Sequence, residues 1–304
     1  MMGTWRKAWG WLLWGSLFFC GSLAYADDNI GDRLNAITLK TAPLADTNAS
    51  LTALKTAQII YLGEHHTSAA DHLAQLEIIK ALHGHNPQVA IAMEMFQRPF
   101  QDVLDRYIAG EISEAELVAQ TEYETRWGFD WELYAPILRF AQAKQIPVLA
   151  LNAPNEVVRQ VSSAGLASLE AADYEYLPPR DELDLTNENY QALLQEAFSG
   201  HGQHGNFNFE NFFAAQVVWD ETMAEAIAQF ATENPDTQII TLAGQGHVVY
   251  GYGIPDRVQR RLGDDLRQQK VLLNPSPEVA VVPDAADLLW WTEIPAIAPR
   301  LPSD

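Results

Sequence analysis

Two short stretches of this chain repeat one pattern, and together they limit the architectures open to it. Ala57-Gln58-Ile59-Ile60-Tyr61-Leu62 runs into Gly63-Glu64-His65-His66, and Gln238-Ile239-Ile240-Thr241-Leu242-Ala243 runs into Gly244-Gln245-Gly246-His247. Each is an apolar run of strand length that ends at a glycine, with a histidine three residues further on. Such a run, bounded by a turn residue, marks a strand buried on both faces of a parallel sheet. In open sheets of that kind ligands bind beyond the carboxyl ends of the strands. The pattern therefore predicts that two imidazoles from distant parts of the chain meet at one edge.

The segments between them fit this frame. Residues 89–93, 146–151, 270–273 and 279–282 read as further strands, the last two closing the sheet. Helical periodicity covers 68–82, 98–109, 133–144, 211–232 and 255–262, with Pro99 and Pro255 in first turns, where proline is tolerated. Ser113-Glu114-Ala115-Glu116 is a capping box that opens a short helix over 113–120, and Asn155 is placed to cap the next. Strands alternating with helices predict an α/β fold, a mostly parallel sheet flanked by helices. Residues 173–210 break the rhythm with Pro178-Pro179 and a glycine-rich run around His201 and His204, expected to be a mobile loop. Together with the helix after them they read as a helical cap insertion, about 173–232. Residues 27–56 read as an entry segment, 27–283 as one domain with its cap, and 284–304 as a proline-rich C-terminal tail.

Residues 1–26 have the plan of a secretory signal peptide: Arg6 and Lys7, an apolar stretch over 8–23, then Ala24-Tyr25-Ala26 with small residues at both recognition positions. The apolar part is shorter than the ~20 residues a spanning helix needs. The expectation is an exported, periplasmic or envelope-associated protein. Cys20 is the sole cysteine, and Phe19 stands where a lipoprotein signal places a small residue, which argues against a lipid anchor there. Cleavage after Ala26 leaves no cysteine, so disulfides, thiolate ligands and cysteine nucleophiles are excluded. Removing Arg6 and Lys7 from the 19 basic residues leaves 17 against 40 acidic ones, a net charge of −23. That surface repels nucleic acid and anionic membranes.

The chemistry-bearing residues gather at the expected strand ends. Glu64, His66 and His72 follow the first strand, Glu94 ends the second, and His247 follows the fourth. Imidazoles and carboxylates of this kind ligate divalent zinc, iron or manganese and can leave a position open for water. Tyr250-Gly251-Tyr252-Gly253-Ile254-Pro255 comes next, and a tyrosinate is a ligand of ferric haem. Tyr250, Tyr252 or His247 would then be axial, and Arg257 would pair with a propionate or another carboxylate. Trp127, Phe129, Trp131 and Tyr134 would either wall an apolar cofactor pocket or pack between helices. No Gly-x-Ser-x-Gly elbow, phosphate loop or His-Glu-x-x-His zinc motif is present.

These residues carry a resemblance. The first glycine–histidine motif with His72, Glu94-Met95-Phe96, residues 127–134 with Pro136, residues 149–154, residues 216–223 with Asp220, and residues 244–257 together resemble the ChaN-like haem-binding uptake family. That family sits in the superfamily of the Tiki proteases and erythromycin esterases. The matching pieces cover roughly residues 57–262. The resemblance implies an EreA/ChaN-like fold, haem as ligand, haems stacked between the subunits of a homodimer, and work in iron acquisition beside an envelope transport component. The residues themselves hold a rival open. In a metal-dependent hydrolase Glu64 or Glu94 would act as general base, with Glu64, His66, His72, Glu94 and His247 as the candidate metal set.

Overall fold

Parallel strands need long crossovers, and helices supply them. The computed structural model describes residues 38–39, 47–199 and 208–292, and the signal segment and the loop with His201 and His204 lie outside these. Its elements run β1 (Thr38–Leu39), α1 (Thr47–Thr56), β2 (Ile59–Glu64), α2 (Ala69–His85), β3 (Val89–Gln97), α3 (Gln101–Ile108), α4 (Glu114–Gln120), α5 (Tyr123–Arg126), α6 (Trp131–Lys144), β4 (Val148–Asn152), α7 (Asn155–Ala164), α8 (Glu188–Ser199), α9 (Phe209–Glu233), β5 (Gln238–Gly244), α10 (Ile254–Leu262), β6 (Gln268–Leu273), α11 (Pro277–Ala280) and β7 (Leu288–Trp291). The strands form one sheet in the order β1-β7-β6-β2-β5-β3-β4. All neighbours are parallel except the edge pair β1–β7.

Alternation along β2 shows why helices cover both faces. Ile60 and Leu62 pack with Ile79 of α2, Leu104 of α3 and Leu138 of α6 on one side. Ile59 and Tyr61 pack with Met223 and Ile227 of α9 and with Val258 of α10 on the other. Each such large apolar side chain, fully buried, contributes about 1.5–3 kcal/mol.

The strand order matters more for function than the layering. The chain leaves β2, builds β3 and β4, and then returns to insert β5 between β2 and β3. Glu64 pairs with Gly244 across β2 and β5, and Met93 with Leu242 across β3 and β5. The ends of β2, β5 and β3 are therefore adjacent and point the same way.

Several expectations change. Residues 279–282 do not form a strand: Ser276 caps α11 by accepting the Val279 N–H, and Pro277 at its start favours the helix. The closing strand is β7, inside the expected tail, with Leu288 and Trp290 buried. The entry segment includes α1. The expected cap also divides: α9 is a covering helix of the sheet, since Met223, Ala224 and Ile227 reach the core, while 166–199 pack on its first half through Leu169, Leu177, Tyr190 and Leu194.

Candidate functional site

The three adjacent strand ends deliver an imidazole, a carboxylate and a second imidazole to one point. Glu94 Oε1 lies 3.6 Å from His247 Nε2 and 4.0 Å from His66 Nε2. Its other oxygen accepts the Gly244 N–H at 2.7 Å. Each imidazole is held from behind in the same manner. His66 Nδ1 lies 2.8 Å from Glu64 Oε1, which also accepts the Tyr134 hydroxyl at 2.7 Å. His247 Nδ1 lies 2.6 Å from Asp220 Oδ1, and Asp220 Oδ2 accepts the Tyr190 hydroxyl at 2.5 Å. Two tyrosine–carboxylate–histidine units thus face each other across Glu94. A carboxylate on Nδ1 fixes the ring and leaves Nε2 turned inward.

Local geometry makes this arrangement depend on glycine. A Cβ at Gly244 would lie 3.0 Å from Cε1 and Nε2 of His66, so the ring rests on the strand's bare backbone. Trp127 meets the same ring edge-on at 4.8 Å, and Phe129 lies 5.1 Å away. Trp219 stands perpendicular to His247 at 6.3 Å. The expected aromatic cluster is therefore part of the wall around His66, and Tyr134 also packs on His72 at 4.3 Å.

Electrostatics follow from burial and pairing. Burial alone pulls His247 down, but Glu94 and Asp220 outweigh it and push it up to about 9. Burial is likewise overcome at His72, pushed up to about 9 by Glu64, and His66 is raised by Glu94 and Glu64. Glu64 is buried too, yet His72 and His66 hold its carboxyl well below the usual range. Burial raises Tyr134 and Tyr190 strongly, so both remain hydroxyl donors. The centre is a buried set of three carboxylates and three imidazoles.

The residues expected to ligate a metal have separate duties. Glu64 Oε2 accepts Gln75 Nε2 at 2.6 Å and lies 3.2 Å from His72 Nδ1, while His72 Nε2 reaches the His66 carbonyl at 3.1 Å. Glu64 and His72 are thus saturated by the loop they hold together. Among the described residues no group of three or more His, Cys, Asp or Glu side chains is arranged to hold a metal ion. Glu94, His66 and His247 keep atoms facing one another. His66 Nε2 is buried without a hydrogen-bond partner. Asp220, Tyr190, Tyr134 and Gln75 are functional neighbours that residue spacing did not single out. Asp220 lies in a stretch that carries the family resemblance and Tyr134 in the aromatic cluster, whereas nothing in the sequence points to Gln75 or Tyr190.

The tyrosine segment forms a turn against this centre. Tyr250 takes the left-handed conformation (φ 59°), its N–H bonded to the Ala285 carbonyl at 2.8 Å. Its ring stacks on Tyr252 at 5.5 Å and 27°. Both rings are half-buried, and neither hydroxyl has a hydrogen-bond partner among the described residues. Gly253 is required beside them, since a Cβ there would sit 2.3 Å from the His247 carbonyl oxygen. Arg257 takes a carboxylate of the protein as its partner. It is buried, donates to the Tyr252 and Gly253 carbonyls, and pairs with Glu221.

Comparison with known proteins agrees with this fold. ChaN of Campylobacter jejuni, whose solved structure is described as showing cofacial haem binding, superposes with a TM-score of 0.63 at 17% identity, covering 81% of this chain and 91% of that one. A mutant of the erythromycin esterase EreC in its open conformation superposes with a TM-score of 0.47 at 15% identity, covering 81% and 79%. No curated protein sequence matches the chain. The sequence pattern of the family described as haem-binding uptake, Tiki superfamily, ChaN matches residues 50–258. That match spans most of the chain and runs from before β2 into the first part of α10, with every residue of the centre just described, so the protein belongs to the ChaN-like haem-binding uptake family of the Tiki superfamily.

Proposed function

We propose that the protein binds haem at the Tyr250–Tyr252 turn and serves haem uptake or handling after export to the periplasm or envelope. Beyond the family, one observation carries the reading: two stacked, half-buried tyrosine rings whose hydroxyls have no hydrogen-bond partner among the described residues. Free phenol oxygens beside an apolar wall suit haem, whose ferric iron accepts a tyrosinate ligand. Tyr250 is the first choice as ligand, because its left-handed backbone is pinned by the Ala285 carbonyl before any ligand arrives. Tyr252 is the second. His247 is the poorer choice, since its Nε2 faces Glu94 at 3.6 Å inside the buried centre. A second copy presenting the same turn would let two haems face one another, and an envelope transporter is the matching recipient. The test is addition of haemin to the purified protein. A Soret band of stoichiometric intensity that shifts in Tyr250→Phe supports the assignment. A spectrum unchanged in Tyr250→Phe discards Tyr250, and no saturable binding discards the reading.

A second reading rests on the buried, unpartnered His66 Nε2 facing Glu94. We propose it as the surviving form of the hydrolase alternative, with Glu94 as general base between two imidazoles. Turnover of a panel of carboxylic esters and lactones by haem-free protein, with and without added zinc or manganese, bears on it directly; no turnover above a Glu94→Gln control sinks it.

A further inference from the structure

The tyrosine turn and the acid–base centre are linked by a closed ring of contacts. The His247 carbonyl lies against Gly253, where there is no room for a side chain. Arg257 Nη1 donates to the carbonyls of Tyr252 and Gly253, the latter at 2.9 Å. The same guanidinium lies 5.1 Å from the ring centroid of Tyr190, a cation–π distance. The Tyr190 hydroxyl donates to Asp220, and Asp220 holds His247 Nδ1. From His247 the path therefore runs through Gly253, Arg257, Tyr190 and Asp220 and returns to His247. Every member is buried.

Arg257 is the member that touches both halves of this ring. Glu221 and Asp184 explain why it stays there. Glu221 Oε1 lies 3.3 Å from Arg257 Nε and accepts the Asp184 N–H at 3.0 Å, and the Asp184 carbonyl is 3.4 Å from Arg257 Nη2. We infer that Arg257 is a positioning residue that ties the Tyr250–Tyr252 turn to His247, so that a ligand held by the turn is felt at the acid–base centre. The tie is a property of the haem-free chain; its consequence for a ligand rests on the haem reading. Because the tie sets the turn before a ligand arrives, loosening it makes binding bear the cost of ordering the turn.

Removing the guanidinium need not unfold the protein, because Glu221 keeps Arg260 and Arg261, each at 2.7 Å. The experiment compares wild type, Arg257→Gln, Arg257→Lys and Gly253→Ala, using near-ultraviolet circular dichroism without haem and haemin titration with it. Arg257→Gln is expected to lose the signal of the stacked tyrosine pair and to raise the haemin dissociation constant about tenfold, an ordinary coupling between sites. Arg257→Lys, which still offers donors to the two carbonyls, should recover part of both. Gly253→Ala keeps Arg257 but pushes the turn off the His247 carbonyl, and should reproduce the dichroism change. An unchanged haem-free signal in both Arg257→Gln and Gly253→Ala overturns the inference. So does weaker haemin binding in Arg257→Gln with an intact tyrosine signal, which would mark a direct propionate contact. Failure of wild type to bind haemin sinks the haem reading alone, because the haem-free dichroism still decides the role of Arg257.

Discussion

Asp220→Asn is the perturbation that tests the electrostatic account most sharply. In the folded protein His247 is pushed up to about 9 from an ordinary 6.5, against the downward pull of its own burial. One unit corresponds to about 1.4 kcal/mol. The protonated imidazole therefore adds about 3 kcal/mol to folding. Because the folded form holds the proton more tightly, this contribution is complete below about pH 6.5, declines as pH rises, and is gone above about pH 9. Glu94 and Asp220 share the effect, Glu94 through its charge and Asp220 through both its charge and its hydrogen bond. Asn at 220 keeps the shape and removes one of the two charges, so about 1–2 kcal/mol of the pH-dependent part should vanish. His72 is also pushed up to about 9, but by Glu64, and it cancels when the two proteins are compared. Urea unfolding of both proteins at about pH 6 and about pH 9.5 measures the difference. Asp220→Asn should be weaker at the lower pH by about 1–2 kcal/mol more than at the higher pH. A stability difference that does not change with pH would refute the claim that His247 is held protonated by this carboxylate.

Gly244→Ala places a Cβ 3.0 Å from the His66 ring, which Trp127 blocks on another side, and should cost about 1–3 kcal/mol in urea unfolding. A variant as stable as wild type would show that the ring is not wedged. Glu94→Gln removes the largest attraction for the His247 proton, so the imidazole resonance should titrate lower, toward the ordinary value, by nitrogen-15 NMR. An unmoved titration would mean that Glu94 and His247 do not meet.

Much of the architecture is local in origin. The strands β2, β4 and β5 are apolar runs closed by glutamate, asparagine or glycine, and α4 announces itself by a capping box that forms as expected, with Ser113 and Glu116 bonding reciprocally. Such features involve neighbours within a few residues, where spacing translates directly into contact. The edge of the sheet was harder to read. Residues 279–282 have strand composition, but Ser276 and Pro277 start a helix there, and the strand falls in the proline-rich segment beyond. Edge pairing depends on which partner is available, and β7 has β6 on one side and β1 from the far end of the chain on the other.

The sequence by itself determined that Glu64, His66 and His247 lie at strand ends of a parallel sheet, since glycine-closed apolar runs place them there, whereas β3 runs on past Glu94 to Gln97. Only the tertiary structure decided what each does, because the return of β5 between β2 and β3 brings the two histidines to a single glutamate oxygen. It also turned Glu64 and His72 into the support of His66, brought Asp220 and Tyr190 from other helices to His247, and drew Arg257 inside. The physical reason is sequence distance: Glu64 meets Tyr134 from 70 residues away, and Glu94 meets Gly244 from 150. No periodicity within one segment records which side chain will arrive from another, and that arrival decides whether a buried carboxylate ligates, accepts a proton or only holds its neighbour in place.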